Sequence, residues 1–270
     1  MISRRIFIAS TAGLAVPGAD FPVVDFHAHV EEPAEIDEAI RQAQANGVKL
    51  GVLWHAGKRE YGYQHMLSTD AELRGFLEML QEKPAFRGIQ AEGLDWMDCF
   101  SKDMIARLDY VLTDALTFRE RDGRMVKLWL KGVDVGEKQD FMDRYTDYHV
   151  EIMDREPIDI LANPTFLPEY LMGDYDALWR EGRMRKVIDA ARKHGVAIEI
   201  NSRYRLPREK FLKMAVDAGV KFSFGSNAHG LATGRLEYSL EMARQLRLEK
   251  KHLFEPAPRG RKPVERRRMG

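Results

Sequence analysis

The sequence predicts an α/β protein that folds as a distorted (β/α)7 TIM-like barrel in a single domain. Seven short apolar runs alternate with amphipathic stretches from residue 21 onward. The runs are nearly continuous in Val, Ile, Leu and Phe, which is typical of parallel strands buried on both faces. Seven repeats of strand and helix in about 250 residues match the size of one barrel. An open doubly wound sheet is the alternative, although no Gly-rich turn follows the first run.

The composition limits the class of protein. The chain has 270 residues, of which 44% are hydrophobic and 31% charged, and this excludes a disordered chain. No apolar stretch reaches the roughly 18–20 residues of a membrane-spanning helix, so we expect no membrane span. The 42 basic and 42 acidic residues cancel, which argues against nucleic acid as a partner. Cys99 is the single cysteine, so an internal disulfide or a cysteine-based zinc site is excluded.

The candidate strands are the apolar runs themselves. In chain order they are residues 22–26, 48–54, 86–90, 110–113, 158–162, 197–200 and 221–224. The candidate helices lie between them and after the last one. They are residues 32–46, 70–81, 101–108, 138–155, 175–193, 208–218 and 235–248. Ile36 and Ile40 have helical spacing in the first helix, Thr69 is a candidate N-cap of the second, and Gly195 follows the fifth as a stop signal.

Two segments depart from this repeat. Residues 117–132 contain Asp122 and Gly123 between runs of β-type residues, which predicts a hairpin inserted into the barrel. Residues 250–270 are rich in Pro and Arg, which predicts a basic, solvated and disordered tail.

The first 19 residues have the layout of a bacterial export signal. Arg4 and Arg5 precede an apolar stretch, residues 6–16, that is too short to span a bilayer. The run from Ser3 to Ile8 resembles the twin-arginine motif. We therefore expect an export signal at 1–19, a barrel at 20–249, a tail at 250–270, and a periplasmic or extracellular protein. The alternative is an apolar N-terminal helix of the mature fold.

The segment Asp25-Phe-His27-Ala-His29 is the strongest functional signal. Residues two apart on a strand project to the same side, so His27 and His29 can bind one metal ion. They follow the first apolar run, at the strand end where barrel enzymes place their active sites. We expect Asp25 to hold an imidazole ring in place from behind.

Three later strand ends also carry potential metal ligands. His55 ends the second run, Glu92 follows the third, and His229 follows the last. The carboxyl ends of barrel strands meet at one face, so these side chains are expected to converge with those of the first strand. Imidazole and carboxylate ligands suit zinc and similar divalent ions. We predict one divalent ion (Zn, Mn or Fe), with His55 available for a second, weaker site.

In this order, these residues resemble the PHP (polymerase and histidinol phosphatase) superfamily of metal-dependent phosphoesterases, which fold as distorted seven-stranded barrels. The resemblance runs from about residue 22 to residue 246 and rests on six blocks. These blocks are Asp25-Phe-His27-Ala-His29, Gly88-Ile-Gln-Ala-Glu92, Leu108-Asp-Tyr-Val-Leu112, Asp159-Ile-Leu-Ala-Asn163-Pro164, Ile198-Glu-Ile-Asn201 and Gly225-Ser-Asn227-Ala-His229.

The sequence departs from the family at four positions. Trp54 stands where the family has Asp, Leu116 and Asn163 stand where it has His, and Asn227 stands where it has Asp. The resemblance therefore implies a reduced set of metal ligands. Its members are His27, His29, His55, Glu92, Asn227 and His229. Asn163 would support this set from behind, and Glu92 or His229 would replace the missing general base.

Basic side chains follow the same strand ends. Lys58 and Arg59 follow the second strand, and Arg203 and Arg205 follow the sixth. Guanidinium groups pair well with phosphate or carboxylate, so we expect a small anionic or polar substrate. His65, in the loop after the second strand, is a further candidate for the mouth of the site.

Together these features predict an exported metal-dependent hydrolase of the PHP type, in which a metal-activated water attacks a phosphoester or a related ester or amide. An amidohydrolase-like enzyme that acts on a carboxylated substrate is one alternative. A PHP-fold protein that has lost catalysis and only binds a metal or ligand is another, and the four substitutions motivate it.

Overall fold

The computed structural model of the protein describes residues 21–120, 123–258 and 261–266. Its strands are β1 (Val24–His29), β2 (Lys49–Gly57), β3 (Ala85–Glu92), β4 (Tyr110–Thr113), β5 (Thr117–Arg119), β6 (Met125–Lys127), β7 (Ile160–Leu161), β8 (Ala197–Asn201), β9 (Phe222–Gly225) and β10 (Ala228–His229). Its helices are α1 (Ile36–Ala45), α2 (Asp70–Met79), α3 (Lys102–Ile105), α4 (Lys138–Arg155), α5 (Tyr175–Leu178), α6 (Glu181–His194), α7 (Glu209–Asp217) and α8 (Glu237–Gln245).

Parallel strands form a sheet that closes on itself. The strand order is β10-β1-β2-β3-β4-β7-β8-β9, and β1 also pairs with β9. Seven strands thus form the wall, and the two-residue β10 adds to the C-terminal end of β1. Helices follow most of the strands and pack on the outside of the wall. The predicted barrel, built as a single domain, is confirmed, and the open doubly wound sheet is excluded.

The first three strands extend further than their apolar runs. β1 reaches His29, β2 reaches Gly57 and β3 reaches Glu92, each two or three residues beyond the predicted end. The reason is that the carboxyl ends of these strands face a polar cavity, so the hydrogen-bonded ladder continues after the apolar residues stop. The prediction therefore placed the strands correctly and their ends too early.

The predicted helix 175–193 is two helices in the structure. Trp179 ends α5 with a non-helical backbone (φ −85°, ψ 59°), and α6 starts two residues later. The Trp179 side chain is fully buried, so packing of the indole outweighs the local preference for a continuous helix. Gly195 ends α6 in the left-handed conformation (φ 66°), as the sequence predicted.

An apolar cluster fills the lower part of the barrel interior, below the strand ends that carry the histidines. Phe26, Leu53 and Tyr110 belong to it, and the Tyr110 hydroxyl donates to the Phe26 carbonyl oxygen at 2.9 Å. The Tyr110 ring lies against Gly88, where a Cβ would overlap it. A second, larger core lies between the strands and the helices. The polar cavity therefore has a packed floor.

The predicted hairpin insertion is confirmed, because β5 and β6 pair antiparallel. Residues 121 and 122 of its turn lie outside the described residues. Part of the predicted tail is described and packs on the barrel. Phe254 donates its backbone N–H to Phe222 and packs against Phe26, and the Lys262 ammonium is buried beside Asp159.

Two predictions concern the N-terminal segment and the ends of the barrel. The export signal at 1–19 lies outside the described residues, so export and the domain boundaries remain predictions. Within residues 21–120, 123–258 and 261–266, no helix has both the length and the apolar character needed to cross a membrane.

Candidate functional site

A cavity of about 370 Å³, here called the histidine cavity, opens at the C-terminal ends of the strands. This is the end at which barrel enzymes bind their substrates, and the volume is that of a small-molecule site. The strand ends and the loops after them supply its walls. The lining residues are His27, His29, Glu31, His55, Tyr63, Gln90, Asp114, Leu116, Trp129, Asn163, Arg203, Tyr204, Asn227 and His229.

Four rings form a continuous stack along one wall of this cavity. The His29 ring lies between those of His55 and His229, with centroids 4.6 Å and 4.7 Å apart. The His55 ring stacks in turn on Tyr63 at 3.8 Å. His27 approaches His29 from the side, with the two Nε2 atoms 3.2 Å apart. The four histidines that the sequence singled out at strand ends thus converge.

Loss of hydration keeps three of these imidazoles neutral, although His229 is exposed at the rim of the cavity. Loss of hydration lowers the pKa of His55 and of His229 to about 4 each. It lowers the pKa of His29 well below its ordinary value, and charge on neighbouring histidines adds to this effect. Burial also opposes a charge on His27, but the Glu199 carboxylate more than offsets this and raises its pKa. Neutral imidazole is the form that binds a metal.

Two buried carboxylates orient histidines toward the cavity. His27 Nδ1 lies 2.6 Å from Glu199 Oε1, and His55 Nδ1 lies 2.8 Å from Glu92 Oε1. Burial raises the pKa of Glu92 to about 8, so in the metal-free protein Glu92 is mainly protonated at neutral pH and donates to His55 Nδ1. Loss of this proton would let His55 donate from Nδ1 and turn its Nε2 lone pair toward the cavity. A carboxylate behind an imidazole is typical of metal-binding histidines.

His29, Glu31 and His55 can hold one metal ion, because each offers a ligand atom and these atoms all lie within 4.8 Å of one another. The fit to a cation has independent support, since His29 Nδ1 is buried with no hydrogen-bond partner among the described residues. Glu31 supplies the negative charge that a set of neutral imidazoles lacks. The part of the cofactor prediction that concerns a site able to hold a divalent ion is therefore confirmed.

The other predicted ligands have mixed positions. His27, His229 and Asn227 line the same cavity as the His29, Glu31 and His55 group. Glu92 does not line it and lies behind His55. Asn227 has a left-handed backbone (φ 50°), which asparagine adopts more readily than most residues.

Asp25 does not lie behind an imidazole ring, as predicted, but has a structural role. Its carboxylate is fully buried and accepts hydrogen bonds from the Ser226 hydroxyl at 2.6 Å and from the backbone N–H groups of Ser226, Gly234 and His27. These bonds join the start of β1 to the turn between β9 and β10 and to the loop after β10. Asp25 thereby fixes the relative height of His27 and His229.

Asp114 is a functional candidate that the sequence analysis missed. It follows β4 directly and lines the histidine cavity. Its Oδ2 accepts from Asn163 Nδ2 at 3.1 Å and from Gln90 Nε2 at 3.4 Å. Burial, with a smaller contribution from the charge of Glu92, raises its pKa to about 6. The signal that would have found Asp114 is its place at the end of an apolar run, the same signal that found His55.

Asn163 and Glu31 complete the polar wall. Asn163 was predicted to support the ligands, and it lies between Asp114 and Asn201, whose Nδ2 donates to Asn163 Oδ1 at 2.9 Å. Glu31 lies two residues beyond β1 and was missed. Leu116 also lines the cavity, so an apolar side chain stands at that position of the wall.

One of the five predicted substrate-binding residues lines the cavity. Arg203 does so, and its Nη1 donates to the Asn227 carbonyl oxygen at 3.1 Å. The others lie elsewhere and have other neighbours. Lys58 pairs with Asp95, Arg59 with Glu72 and Arg205 with Glu241, and His65 lies beside Trp54 and 3.7 Å from Glu32.

Known proteins resemble this chain only distantly and only in structure. The sequence matches no model of a known protein family and no curated protein sequence. Solved structures that it resembles include a citrate lyase from Burkholderia xenovorans LB400, with 10% identity over 83% of this chain and 77% of that one and a TM-score of 0.41. Citrate synthase SbnG has 14% identity over 83% and 94% of the two chains, with a TM-score of 0.39. An HpcH/HpaI aldolase from Desulfitobacterium hafniense DCB-2 has 12% identity over 85% and 94%, with a TM-score of 0.39.

These comparisons correct the family assignment. No PHP family model matches, and the similar structures are a lyase, a synthase and an aldolase. The resemblance to the PHP superfamily was therefore wrong, and so was the hydrolase function taken from it, with its amidohydrolase-like and degraded-PHP alternatives. The physical reason is that histidines at strand ends are common to many barrels, since any barrel brings these positions together.

Proposed function

We propose that the protein is an enzyme that binds one divalent metal ion in the histidine cavity. We further propose that it catalyses proton transfer at the carbon next to a carbonyl group of a small anionic substrate, a step that lyase- and aldolase-type reactions share. The observation that carries this proposal is the convergence of His29, Glu31 and His55 within 4.8 Å in a cavity that Asp114 and Arg203 also line.

The ligand set favours a borderline ion such as Zn, Mn or Fe. Two neutral imidazoles and one carboxylate are the ligands that such ions accept. His27 and His229 are close enough to complete the set, because each lies beside His29. When bound, the ion supplies positive charge for a carbonyl oxygen of the substrate.

Asp114 is the candidate general base. Its pKa of about 6 leaves it ionised at neutral pH and makes it a stronger base than an ordinary aspartate. The amides of Asn163 and Gln90 fix the carboxylate by donating to the same oxygen. Asp114 would accept the proton from the carbon next to the carbonyl and later return it.

Arg203 is the candidate anion-binding residue. Its guanidinium lies at the exposed rim of the cavity, held by the Asn227 carbonyl oxygen. A planar guanidinium can donate two parallel hydrogen bonds to a carboxylate. Arg203 would therefore orient a substrate with its carboxylate outward and its carbonyl group toward the histidines.

The metal site is tested by titrating metal-free protein with Zn²⁺ and Mn²⁺ in a calorimeter. We expect one bound ion per chain, and His29→Ala and His55→Ala should each lower its affinity at least tenfold. His194→Ala is the control, because His194 pairs with Asp154 on the outer surface. Equal affinity in all four proteins would overturn the site.

The chemistry is tested by proton exchange, which requires no knowledge of the full reaction. Pyruvate is incubated in D₂O with protein and Mn²⁺, and loss of its methyl signal is followed by NMR. We expect exchange faster than with Mn²⁺ alone, and at least a tenfold loss in Asp114→Asn with metal affinity retained. Exchange no faster than the metal blank, for pyruvate and for longer 2-oxo acids alike, would contradict the proposed reaction.

A further inference from the structure

A second, larger cavity of about 980 Å³, here called the apolar cavity, lies beside the histidine cavity. It is formed by the segment after β6 and by the segment between β7 and α5. Trp129 and Tyr204 line both cavities, so the two cavities adjoin at these side chains. The histidine cavity therefore has a larger neighbour that the proposed chemistry does not use.

The apolar cavity exposes large hydrophobic side chains. Trp129, Leu130 and Tyr170 are 36%, 54% and 52% exposed, and they are the large hydrophobic residues that stand out as exposed in the described part of the chain. All three line this one cavity. Single exposed apolar residues are ordinary, but a concentration of them in one concave surface marks a binding site.

The charged residues of this cavity balance. Lys131 and Lys138 are matched by Asp134 and Glu169, and Lys138 also pairs with Asp174 at 2.5 Å. The cavity therefore offers no net charge to a ligand, and burial of apolar surface is its main source of affinity. This excludes a highly charged occupant and favours a neutral, apolar one.

Tyr204 connects the apolar cavity to the anion-binding residue. Its ring packs edge-on against Phe166 on the apolar side, with centroids 4.8 Å apart. Its other neighbour is Arg203, whose guanidinium carbon lies 5.7 Å from the ring centroid. Only the Tyr204 ring therefore separates a carboxylate bound to Arg203 from the apolar cavity.

We infer that the substrate is an oxo acid with a long or aromatic apolar tail, whose polar head lies in the histidine cavity and whose tail occupies the apolar cavity. This inference rests on the proposed function for the head group alone. Each methylene buried in the apolar cavity contributes to affinity, so a tail of several carbons changes the dissociation constant by orders of magnitude.

The test compares the binding of two acids with the same head group. Pyruvate and 2-oxooctanoate are titrated separately into the full-length protein saturated with Mn²⁺. We expect 2-oxooctanoate to bind at least tenfold more tightly. Leu130→Asp and Tyr170→Asp place a charge in the apolar cavity and should remove this preference while the affinity for pyruvate stays the same. Ala45→Asp is the control, since it adds the same charge to the exposed end of α1.

The outcomes separate this inference from the proposed function. Equal affinity of the two acids, with pyruvate binding that depends on Mn²⁺, would overturn the tail site and leave the proposed head-group site standing. Binding of neither acid would overturn both. A second copy of the chain could occupy the apolar cavity instead, and sedimentation velocity tests this alternative. The inference would also be overturned if the wild-type protein were a dimer, Leu130→Asp were a monomer, and the affinity for 2-oxooctanoate were the same in both.

Discussion

Single residues determine the charge of the histidine cavity through burial more than through ion pairs. His29 and His55 are neutral because the barrel withdraws them from water, although Asp114 favours a charge on His55. His27 differs chiefly because the Glu199 carboxylate lies 2.6 Å from it and raises its pKa, with smaller contributions from Asp114 and Asp25. Near neutral pH a cation can therefore bind to these neutral imidazoles without first displacing a proton from an imidazolium.

Candidate residues on regular strands could be predicted from the sequence, whereas those in loops could not. His27 and His29 lie on β1 itself, so their alternation was enough to place them in the cavity. Asp114 follows β4 by the same rule, but the supposed family resemblance directed attention to Leu116. Glu31 lies in a loop, where backbone direction is set by tertiary contacts that no local pattern encodes.

Asp114 gives a prediction about pH and stability. Its folded-state pKa of about 6 lies above the ordinary value of 3.8, so between pH 4 and 6 the folded protein binds a proton that the unfolded chain has lost. Stability conferred by this proton disappears as the pH rises through that range. In metal-free protein, wild type should therefore lose about 1–3 kcal/mol relative to Asp114→Asn between pH 4 and 6.5.

Urea unfolding at several pH values measures this difference. The slope with pH matters rather than the absolute stability, because an amide at position 114 faces the donor groups of Asn163 and Gln90. Asp189→Asn, at an exposed position of α6, is the control, and its free energy of unfolding should change with pH as that of wild type does. Parallel curves for Asp114→Asn and wild type would show that the carboxyl group does not titrate in this range.

Whole strands and helices were predictable where their own residues determine them. The apolar run 110–113 matches β4 without an error, since each of its residues is buried. β10 was missed because two residues cannot show a pattern, and it exists only through its pairing with Ala28 and His29. Elements that depend on a partner are visible only once the partner is in place.

The packing between β3 and β4 gives a prediction at this scale. The Tyr110 ring occupies the space above Gly88, where a Cβ would overlap it. Gly88→Ala should therefore lower the free energy of unfolding by about 1–3 kcal/mol, as overpacked cores do. Removing the ring in Gly88→Ala/Tyr110→Leu should recover part of that loss. Thermal unfolding of the two single variants and the double variant measures these effects. If the losses in free energy of unfolding of the two single variants simply add in the double variant, the proposed overlap is contradicted.

The whole barrel separates its two ends by function. The carboxyl ends of the strands carry the histidine cavity, and the amino ends are closed by apolar packing and by Phe254 and Lys262. This division was only partly predictable. The sequence located the histidine end, but the basic composition after residue 250 concealed the packing of the partly buried Phe254 on Phe26. Composition averages over a segment, whereas one aromatic residue is enough to attach it.

Deleting residues 250–270 tests this division. The deletion removes the Phe254 ring, which packs 5.2 Å from Phe26, and the Lys262 ammonium, which leaves the Asp159 carboxylate without its buried partner. We expect a loss of about 3–5 kcal/mol, which corresponds to roughly 10 °C in the unfolding midpoint. Zinc affinity should stay the same, because Phe254 and Lys262 lie at the opposite end of the barrel from the histidine cavity.

Two matched variants complete this experiment. Deleting residues 267–270 alone keeps Phe254 and Lys262 and should leave the midpoint unchanged, whereas Phe254→Ala should give most of the loss by itself. An unchanged midpoint in the long deletion would mean that the segment adds nothing to stability. A fall in zinc affinity that matches the fall in stability would mean instead that the two ends of the barrel are coupled, because the metal would then bind only a state that the tail helps to form.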